Sequence, residues 1–525
     1  MQIGINPSFF PKPLTACLLG LFLCLTVGAE APEATAKTLK VERFDIVGNT
    51  LLDAALLRQQ VSPYEGKELT LAQMKELAKN LTALYQKHGY FLVRVYVPQQ
   101  AFQNQKVELR VLEGRFGKVS VQGARHYSED YLRQRFLQAF EGESFRNDRF
   151  QRALLLMNEL PDLKVKAVMS PGEAEGTSDV VLQVEDRLPV HGGVDYNNYG
   201  TSETGKNRVG LSFDAGNLLT QADNLSLRGV LGFPGRQNSF YQLNYQTPLD
   251  LDGTSLTLGY ANGAFAVSQG LGAILDVRGR ADIFTLAASR ALERELEFSS
   301  NIGLALSYKS IRNDFFGGRI PFSRDEYASA RLSYQADWRA PPGRTPLPAA
   351  WTQGLGGTSG SDPLVSRSGA GGGFSKINLD VAHIHTLDTG LYGVFRASGQ
   401  WSTQPLYVAE QYAVGGPDTV RGYGQAELLG DSAYVLSSEL RWSPFADDLD
   451  AFQLAAFVDH GGVGLRRRLP GDLATGATRT GAGFGFRFAL EEHANLRVDI
   501  GFPLDPPNNR ERSSPAVYCG LQTRF

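Results

Sequence analysis

The sequence predicts two small α+β domains followed by an all-β transmembrane barrel of about 16 antiparallel strands. The first observation is an element order, β-α-α-β-β, that occurs twice between residues 39 and 187. The second is a change near residue 188 to strands in which apolar side chains alternate with small, polar or charged ones, as a membrane barrel requires. The third is that no run of 18 apolar residues follows residue 29, which excludes a helical membrane protein.

The N-terminus is typical of a secretory signal peptide. Lys12 precedes the apolar run Leu14–Val27, and small residues suited to cleavage follow that run. We therefore expect residues 1–29 to be removed and residues 30–38 to form a short polar linker. Cys519 is then the one cysteine of the mature chain, so we expect neither an intramolecular disulfide nor a cysteine metal site.

Residues 39–115 are predicted to form the first α+β domain. Its longer helix, Leu71–His88, carries apolar residues at helical spacing and is ended by Gly89. Residues 116–187 repeat the same order of elements, with two more helical patterns between strands. The sequence therefore predicts two copies of one soluble module in tandem.

Residues 188–525 are predicted to form the barrel. One of its strands presents Phe486 and Phe488 on one face and Arg487 on the other. A soluble β-sandwich would also alternate, but many long strands with Tyr, Phe and Leu on one face and charges on the other favour a barrel. The terminal Phe525 is typical of an aromatic girdle at a membrane interface.

One segment within this region does not follow the pattern. Pro341–Gly373 is rich in Gly, Pro and Ser and shows no strand character. Counting turns places it on the periplasmic side, where barrel turns are short. Either a neighbouring strand has been divided wrongly, or the segment is an unusual insertion.

The sequence carries no motif for catalysis, for a cofactor or for nucleotide binding. His383 and His385 lie two residues apart on one strand, but they lack a third ligand, so we expect no metal. The net charge of −3 does not indicate nucleic acid as a partner. Any transport through the barrel must therefore be passive or driven by the folding of the transported protein.

An arginine lies among glycines in the stretch GGPDTVRGYGQ, residues 415–425. Glycines permit a backbone to pass close to another backbone, which an arginine in a solvated loop does not need. By the two-residue period of a strand, Phe457 and Asp459 face the barrel lumen. We therefore predict that the loop folds into the lumen and that Arg421 binds Asp459 through both carboxylate oxygens. The alternative is that Arg421 is a solvated surface arginine and Asp459 merely lines the lumen.

These residues resemble motifs of a known superfamily. The run Val420-Arg421-Gly422-Tyr423 resembles the VRGY motif of loop six in BamA-like outer-membrane barrels. The residues Phe457, Asp459 and Gly461 match the wall motif F-x-D-x-G that is paired with it.

The soluble part carries a second resemblance. Phe44–Asn49, Gly89–Tyr90, Val97–Gln100 and Leu112–Gly114 resemble the first POTRA domain of two-partner secretion transporters. This is the TpsB group, or the ShlB/FhaC/HecB haemolysin secretion/activation family. Gln400–Tyr423 resembles the same group, so the resemblance covers nearly the whole mature chain.

The resemblance implies an outer-membrane protein that has its POTRA domains in the periplasm. Such a transporter exports one large partner, a TpsA-like β-helical exoprotein, to the cell surface. The POTRA domains would bind the exoprotein, the lipid-facing barrel would be the conduit, and loop six would organise the lumen. Arg421 and Asp459 would then be structural and gating residues and not catalysts.

In one respect the chain departs from several family members, which carry a plug helix before the first POTRA domain. Residues 30–38 are too few for a helix and a spanning linker, so we expect no plug. Loop six or Pro341–Gly373 would then close the pore.

Three other functions are compatible with parts of this pattern. An assembly factor that inserts other barrels usually carries more POTRA modules. A porin for small solutes lacks tandem periplasmic modules, and an enzyme would need a site that the sequence does not show. The identity of the exported protein and the oligomeric state stay open.

Overall fold

The computed structural model describes residues 37–525 except 102–104, 141–144, 234–237, 446–447, 449–450, 470–475, 491–492 and 507–514. The predicted signal peptide and nearly all of the predicted linker lie outside the described residues. In the described part of the chain, no helix is both long and apolar enough to cross a membrane.

The described chain divides into two compact units. The first comprises residues up to 122, 139–151 and 166–183, and the second comprises residues 123–138, 152–165 and 184–525. The second soluble module is therefore shared between the two units.

The first module contains two small sheets and two helices. Its elements are β1 (Thr38–Val41), β2 (Arg43–Val47), α1 (Ala54–Val61), a 3₁₀ turn (Ser62–Tyr64), β3 (Lys67–Thr70), α2 (Leu71–Lys87), β4 (Arg94–Tyr96) and β5 (Lys106–Leu112). One sheet has the order β2-β5-β4, with β2 parallel and β4 antiparallel to β5, and β1 pairs with β3. The β1–β3 pair is an addition to the predicted order.

Helix α2 begins and ends where local signals place its termini. The Thr70 hydroxyl accepts from the backbone N–H of Gln73, and the Gln73 side chain accepts from the backbone N–H of Thr70, which forms a capping box. Gly89, at φ +90°, follows the helix. Met74 and Leu77 are fully buried in the core of the module. The predicted helix Leu71–His88 is therefore confirmed to within one residue.

The second module has the same topology as the first. Its elements are β6 (Arg115–Gln122), α3 (Glu129–Gln138), α4 (Asn147–Asn158), β7 (Leu163–Pro171) and β8 (Thr177–Asp186). The sheet order is β6-β8-β7. The central strand β8 runs parallel to β6, as the central strand β5 of the first module runs parallel to β2. The predicted internal repeat is confirmed by this common strand order.

The rest of the chain forms a closed barrel of 16 antiparallel strands, as predicted. The strands are β9 (Val190–Asn197), β10 (Asn207–Gly216), β11 (Asn224–Phe233), β12 (Asn238–Pro248), β13 (Thr254–Ala266), β14 (Arg278–Arg294), β15 (Phe298–Phe315), β16 (Ile320–Ala340), β17 (Gly343–Gly357), β18 (Ser375–Asp388), β19 (Leu391–Ser402), β22 (Ser432–Trp442), β23 (Phe452–Gly464), β24 (Gly476–Leu490), β25 (Ala494–Pro503) and β26 (Ala516–Arg524). Pairing of β9 with β26 closes the barrel. A short helix, α5 (Gly270–Ile274), follows β13, and a small hairpin, β20 (Tyr412–Val414) with β21 (Leu428–Gly430), lies between β19 and β22.

Alternation along each strand separates two faces. On β23, Leu454 and Val458 are about half exposed on the outward face, whereas Phe457 and Asp459 are buried on the inward face. We call the end of the barrel where β9 begins the entry end and the opposite end the far end. The sixth far-end loop, residues 403–431, is named loop six.

The predicted lack of strand character and the periplasmic position of Pro341–Gly373 were wrong, and the first alternative, a strand divided wrongly, is confirmed. Residues 343–357 form strand β17, and the cis bond Pro341-Pro342 lies in the short turn before it. The long loop is residues 358–374, at the far end. Pro346 and Pro348 hid the strand because prolines lack the N–H that a central strand donates. The pairing of β17 with β18 is interrupted between Arg344 and Ala349, the stretch that contains both prolines. Both prolines stay in register with β16 on the other side.

Candidate functional site

Loop six turns back into the barrel and lies against its inner wall. Three glycines along it have positive φ angles: Gly415 at +108°, Gly416 at +113° and Gly422 at +107°. An L-side chain is strained in that region, so these positions favour glycine. Val420 is fully buried and Arg421 is 3% exposed, which differs from the surface arginine of the alternative interpretation.

The guanidinium of Arg421 binds both oxygens of Asp459. The Nε–Oδ2 distance is 2.7 Å and the Nη2–Oδ1 distance is 2.9 Å, and the backbone N–H of Arg421 also donates to Oδ2 at 3.1 Å. The guanidinium carbon lies 3.3 Å from the centroid of the Phe457 ring, so the planar group stacks on the aromatic face. This geometry fixes both the position and the orientation of the arginine.

The other predicted residues surround this pair. The N–H of Gly422 donates to the Tyr518 hydroxyl at 3.0 Å, and the Tyr423 hydroxyl donates to the Thr480 carbonyl at 2.7 Å. A methyl group on Gly461 would lie 3.0 Å from a methyl of Val420. The structure thus brings all seven predicted residues together: Val420, Arg421, Gly422, Tyr423, Phe457, Asp459 and Gly461.

Two further carboxylates complete the surroundings of Arg421. Glu439 Oε2 lies 2.6 Å from Arg421 Nη1, and Asp499 Oδ1 lies 3.7 Å from the same atom. Asp499 is also bound by Arg487 at 2.8 Å and by Arg497 at 2.7 Å. The sequence analysis did not assign these residues to the site. Their positions along the strands nevertheless indicate that they face the lumen.

The wall beneath loop six is built from glycines. A Cβ on Gly481 would lie 1.8 Å from the carbonyl oxygen of Arg421, and a Cβ on Gly501 would lie 2.4 Å from the nitrogen of Gly422. Contacts this short are forbidden, so the loop backbone rests where the wall has no side chains. Sequence reasoning recognised the glycines of the loop and missed those of the wall.

A second anchor holds the first limb of loop six. Glu410, 4% exposed, accepts from Lys309 Nζ at 2.5 Å and from the Tyr327 hydroxyl at 2.7 Å, and it pairs with Lys376 Nζ at 2.8 Å. Burial opposes ionisation of this carboxyl, but the two ammonium groups prevail and lower the pKa of Glu410 to about 2. The Tyr407 ring stacks on Tyr327 with centroids 4.5 Å apart.

The described residues contain no group of three His, Cys, Asp or Glu side chains placed to hold a metal. His383 Nδ1 lies 2.8 Å from the Thr345 hydroxyl, and its ring centroid is 5.5 Å from that of His385. The charged groups at loop six hold a segment of the chain inside the barrel.

Comparison with known proteins agrees with this architecture. Residues 176–488 match the family model for haemolysin secretion/activation proteins ShlB/FhaC/HecB, and residues 39–114 match the ShlB-type POTRA domain. The chain belongs to the ShlB/FhaC/HecB family. It is therefore a two-partner secretion transporter of the outer membrane, with its POTRA domains in the periplasm.

Individual relatives are distant in sequence and similar in length. The outer membrane transporter CdiB of Dickeya dadantii is 25% identical over 482 residues, which are 90% of this chain and 83% of the relative. The hemolysin transporter protein HpmB of Proteus mirabilis is 22% identical over 414 residues, 77% of this chain and 72% of HpmB. The solved structure of CdiB from Escherichia coli aligns with a TM-score of 0.75 at 21% identity and covers 95% of this chain and 93% of that structure. That likeness shows the shared fold.

Proposed function

We propose that this transporter exports one large exoprotein from the periplasm to the cell surface, with the POTRA domains as receptor and the barrel as conduit. The observation that carries the proposal is loop six, which lies anchored at two places inside a barrel joined to tandem periplasmic modules. A transporter that binds its partner outside the pore and keeps the pore obstructed needs both features.

The first POTRA domain offers an edge for an extended chain. In the order β2-β5-β4, strand β4 is hydrogen-bonded to β5 and lies at the margin of the sheet beside helix α2. An extended segment of the exoprotein would add to this edge by main-chain hydrogen bonds, with side chains entering the groove along α2. The exposed Arg94 lies on this edge.

Loop six would act as the gate. Its contacts with Asp459, with Glu439 and with the wall glycines hold the loop against the inner wall, along the route proposed for the exoprotein. Export then requires the loop to leave the wall or to move along it. The bidentate pair would return it to one position after each passage.

Photo-crosslinking during secretion tests the receptor role. A photoreactive amino acid is placed at Arg94 on the β4 edge and, as a matched control, at the exposed Glu173 of the second module. A candidate exoprotein is expressed together with the transporter. We expect crosslinks from position 94 to the exoprotein and few from position 173. Equal crosslinking at both positions would show that β4 is not the edge that binds the exoprotein.

A secretion assay tests the export itself. The exoprotein in the medium is measured for the intact transporter and for Asp459→Asn, with barrel levels in the outer membrane monitored. We expect the exoprotein to reach the medium with the intact transporter and to accumulate in the periplasm with the variant. If secretion is unchanged and other outer-membrane barrels fail to assemble, the protein is an insertase and the proposal is wrong.

A further inference from the structure

The long strands β14–β16 mark the height of the membrane on the outward face. Phe298 packs on Trp338 with ring centroids 5.0 Å apart near the entry end, and Phe284 lies opposite Tyr308 toward the far end. Phe298 and Tyr308 are ten residues apart on β15. At about 3.3 Å per residue and a tilt of about 40°, that spacing corresponds to about 25 Å, the height of the apolar band of an outer-membrane barrel. Tyr308 therefore lies at the outer edge of the band.

The strands continue beyond this edge and carry a row of arginines. Arg312 lies four residues past Tyr308 and stands directly opposite Arg280 on β14 and Arg324 on β16. All three side chains are exposed on the outward face. The same rise and tilt place the row about 10 Å above the aromatic edge, at the height of lipid headgroups. We name these three residues the arginine row.

Pairing within the protein accounts for only part of the arginine row. Like charges directly opposite on neighbouring strands are destabilising. Arg280 binds Asp282 at 3.0 Å and Arg324 binds Glu326 at 2.6 Å, each through two nitrogen atoms. Arg312, between them, has no hydrogen-bond or ion-pair partner among the described residues.

Hydrogen-bond capacity leads to the same conclusion. Each guanidinium has five N–H donors, and the whole row gives four hydrogen bonds to carboxylates. The two carboxylates lie one step nearer the apolar band, and Asp282 also accepts from Tyr260 and Asn262. Most N–H donors of the row are thus left without a carboxylate partner among the described residues.

An apolar groove lies on the same outward face, on the membrane side of the row and of its two carboxylates. It has a volume of about 600 Å³ and is lined mainly by apolar side chains. Ala328 is one of its smaller lining residues. Its principal lining residues are Leu258, Tyr260, Phe284, Leu286, Leu306 and Tyr308. The groove is at the depth of acyl chains, and the row is at the depth of their headgroup.

We propose that the outward faces of β13–β16 form a binding site for a phosphate-bearing lipid of the outer leaflet. The arginine row binds the phosphate, and the groove holds an acyl chain. Charge complementarity selects a phosphate because planar guanidinium groups bind its oxygens through paired N–H donors. A soluble anion would not use the groove, and a neutral lipid would not use the arginines.

Native mass spectrometry of the full transporter in detergent tests the headgroup. The probes are a bis-phosphorylated acyl glycolipid, the same lipid without its phosphates, and phosphatidylethanolamine. We expect retention of the phosphorylated lipid and a loss of roughly tenfold in its affinity for Arg312→Gln, because charge-assisted hydrogen bonds are removed. Arg319→Gln is the matched control, since Arg319 is exposed in the turn before β16 and lies outside the row. Equal binding of the dephosphorylated lipid, or equal losses in both variants, would overturn the proposal.

A second variant tests the groove without altering charge. Ala328→Phe fills the groove and leaves the arginine row intact. We expect weaker retention of the phosphorylated lipid and unchanged binding of its deacylated, bis-phosphorylated headgroup. Migration of the unheated protein in gel electrophoresis verifies that the barrel is folded. If the headgroup alone binds as tightly as the lipid and Ala328→Phe has no effect, the site binds a soluble anion and the lipid assignment is wrong.

Discussion

Two sides of the barrel use arginine in opposite ways. On β22–β25 the charged residues face inward, and strands β22 and β25 are 11 and 10 residues long. On β14–β16 the arginine row lies on the outward face beyond the apolar band, and the strands are 17, 18 and 21 residues long. Arg421 has 4% of its side chain exposed, whereas Arg280 has 66%. Arg421 holds a part of its own chain, and the arginine row faces the surroundings.

The difference shows that burial decides what an ion pair does. A buried guanidinium without its carboxylate is an uncompensated charge, so breaking such a pair costs about 3–5 kcal/mol. An exposed pair is solvated and contributes about 0–1 kcal/mol. The inner side is therefore suited to holding loop six in one position, and the outer side is suited to exchanging a ligand.

The largest expected effect is at the buried pair. Asp459→Asn removes the charge that compensates Arg421, so we expect a loss of about 3 kcal/mol in the stability of the loop contact and a higher channel conductance. Conductance of the purified transporter in planar bilayers measures this. Asp418→Asn, in the same loop, is the control because Asp418 has 75% of its side chain exposed. Equal conductance of the two variants would show that the buried pair does not hold the loop.

A second prediction separates shape from charge. Gly481→Ala places a Cβ 1.8 Å from the Arg421 carbonyl oxygen, so the loop must shift although no charge changes. Overpacking of this kind costs about 1–3 kcal/mol, and we expect raised conductance. Gly399→Ala is the matched control, because its Cβ meets atoms no nearer than 3.5 Å. Unchanged conductance in Gly481→Ala would mean that the wall yields and the glycines do not position the loop.

The second anchor is expected to have a smaller effect than the first. Glu410→Gln leaves Lys309 and Lys376 without their carboxylate, and Lys309 is 23% exposed, so water compensates part of the loss. We expect a cost of about 1–2 kcal/mol and faster proteolytic cleavage of loop six in whole cells. The Asp418→Asn variant again serves as the control. Cleavage at the rate of the intact transporter would show that the Arg421 anchor alone holds the loop.

The smallest effect is expected at an exposed pair on the outer side. Arg278 binds Asp276 at 3.0 Å, with about half of each side chain exposed. Arg278→Gln should change the unfolding temperature by no more than the equivalent of about 1 kcal/mol. The temperature at which the folded band disappears in gel electrophoresis measures this. A shift in unfolding temperature as large as that of Asp459→Asn would contradict the expectation that buried ion pairs contribute more stability than exposed ones.

Much of the fold and part of the site followed from local patterns. The two-residue period assigned Phe457 and Asp459 to the inner face, and helical spacing together with Gly89 located helix α2. The motif around Arg421 identified the loop. The prolines of β17 misled the prediction because their effect depends on whether a neighbouring strand needs the missing N–H, which no local window contains.

The sequence by itself determined which residues face lipid and which face the lumen and the repeat of the POTRA module, and it offered the pairing of Arg421 with Asp459 as one of two interpretations. Only the tertiary structure decided which inward residues meet: Glu439 and Asp499 beside Arg421, and Gly481 beneath it. The arginine row likewise depends on register across three strands. The physical reason is that the alternation of inward and outward side chains is a property of a single strand. The register between strands is set only when the barrel closes.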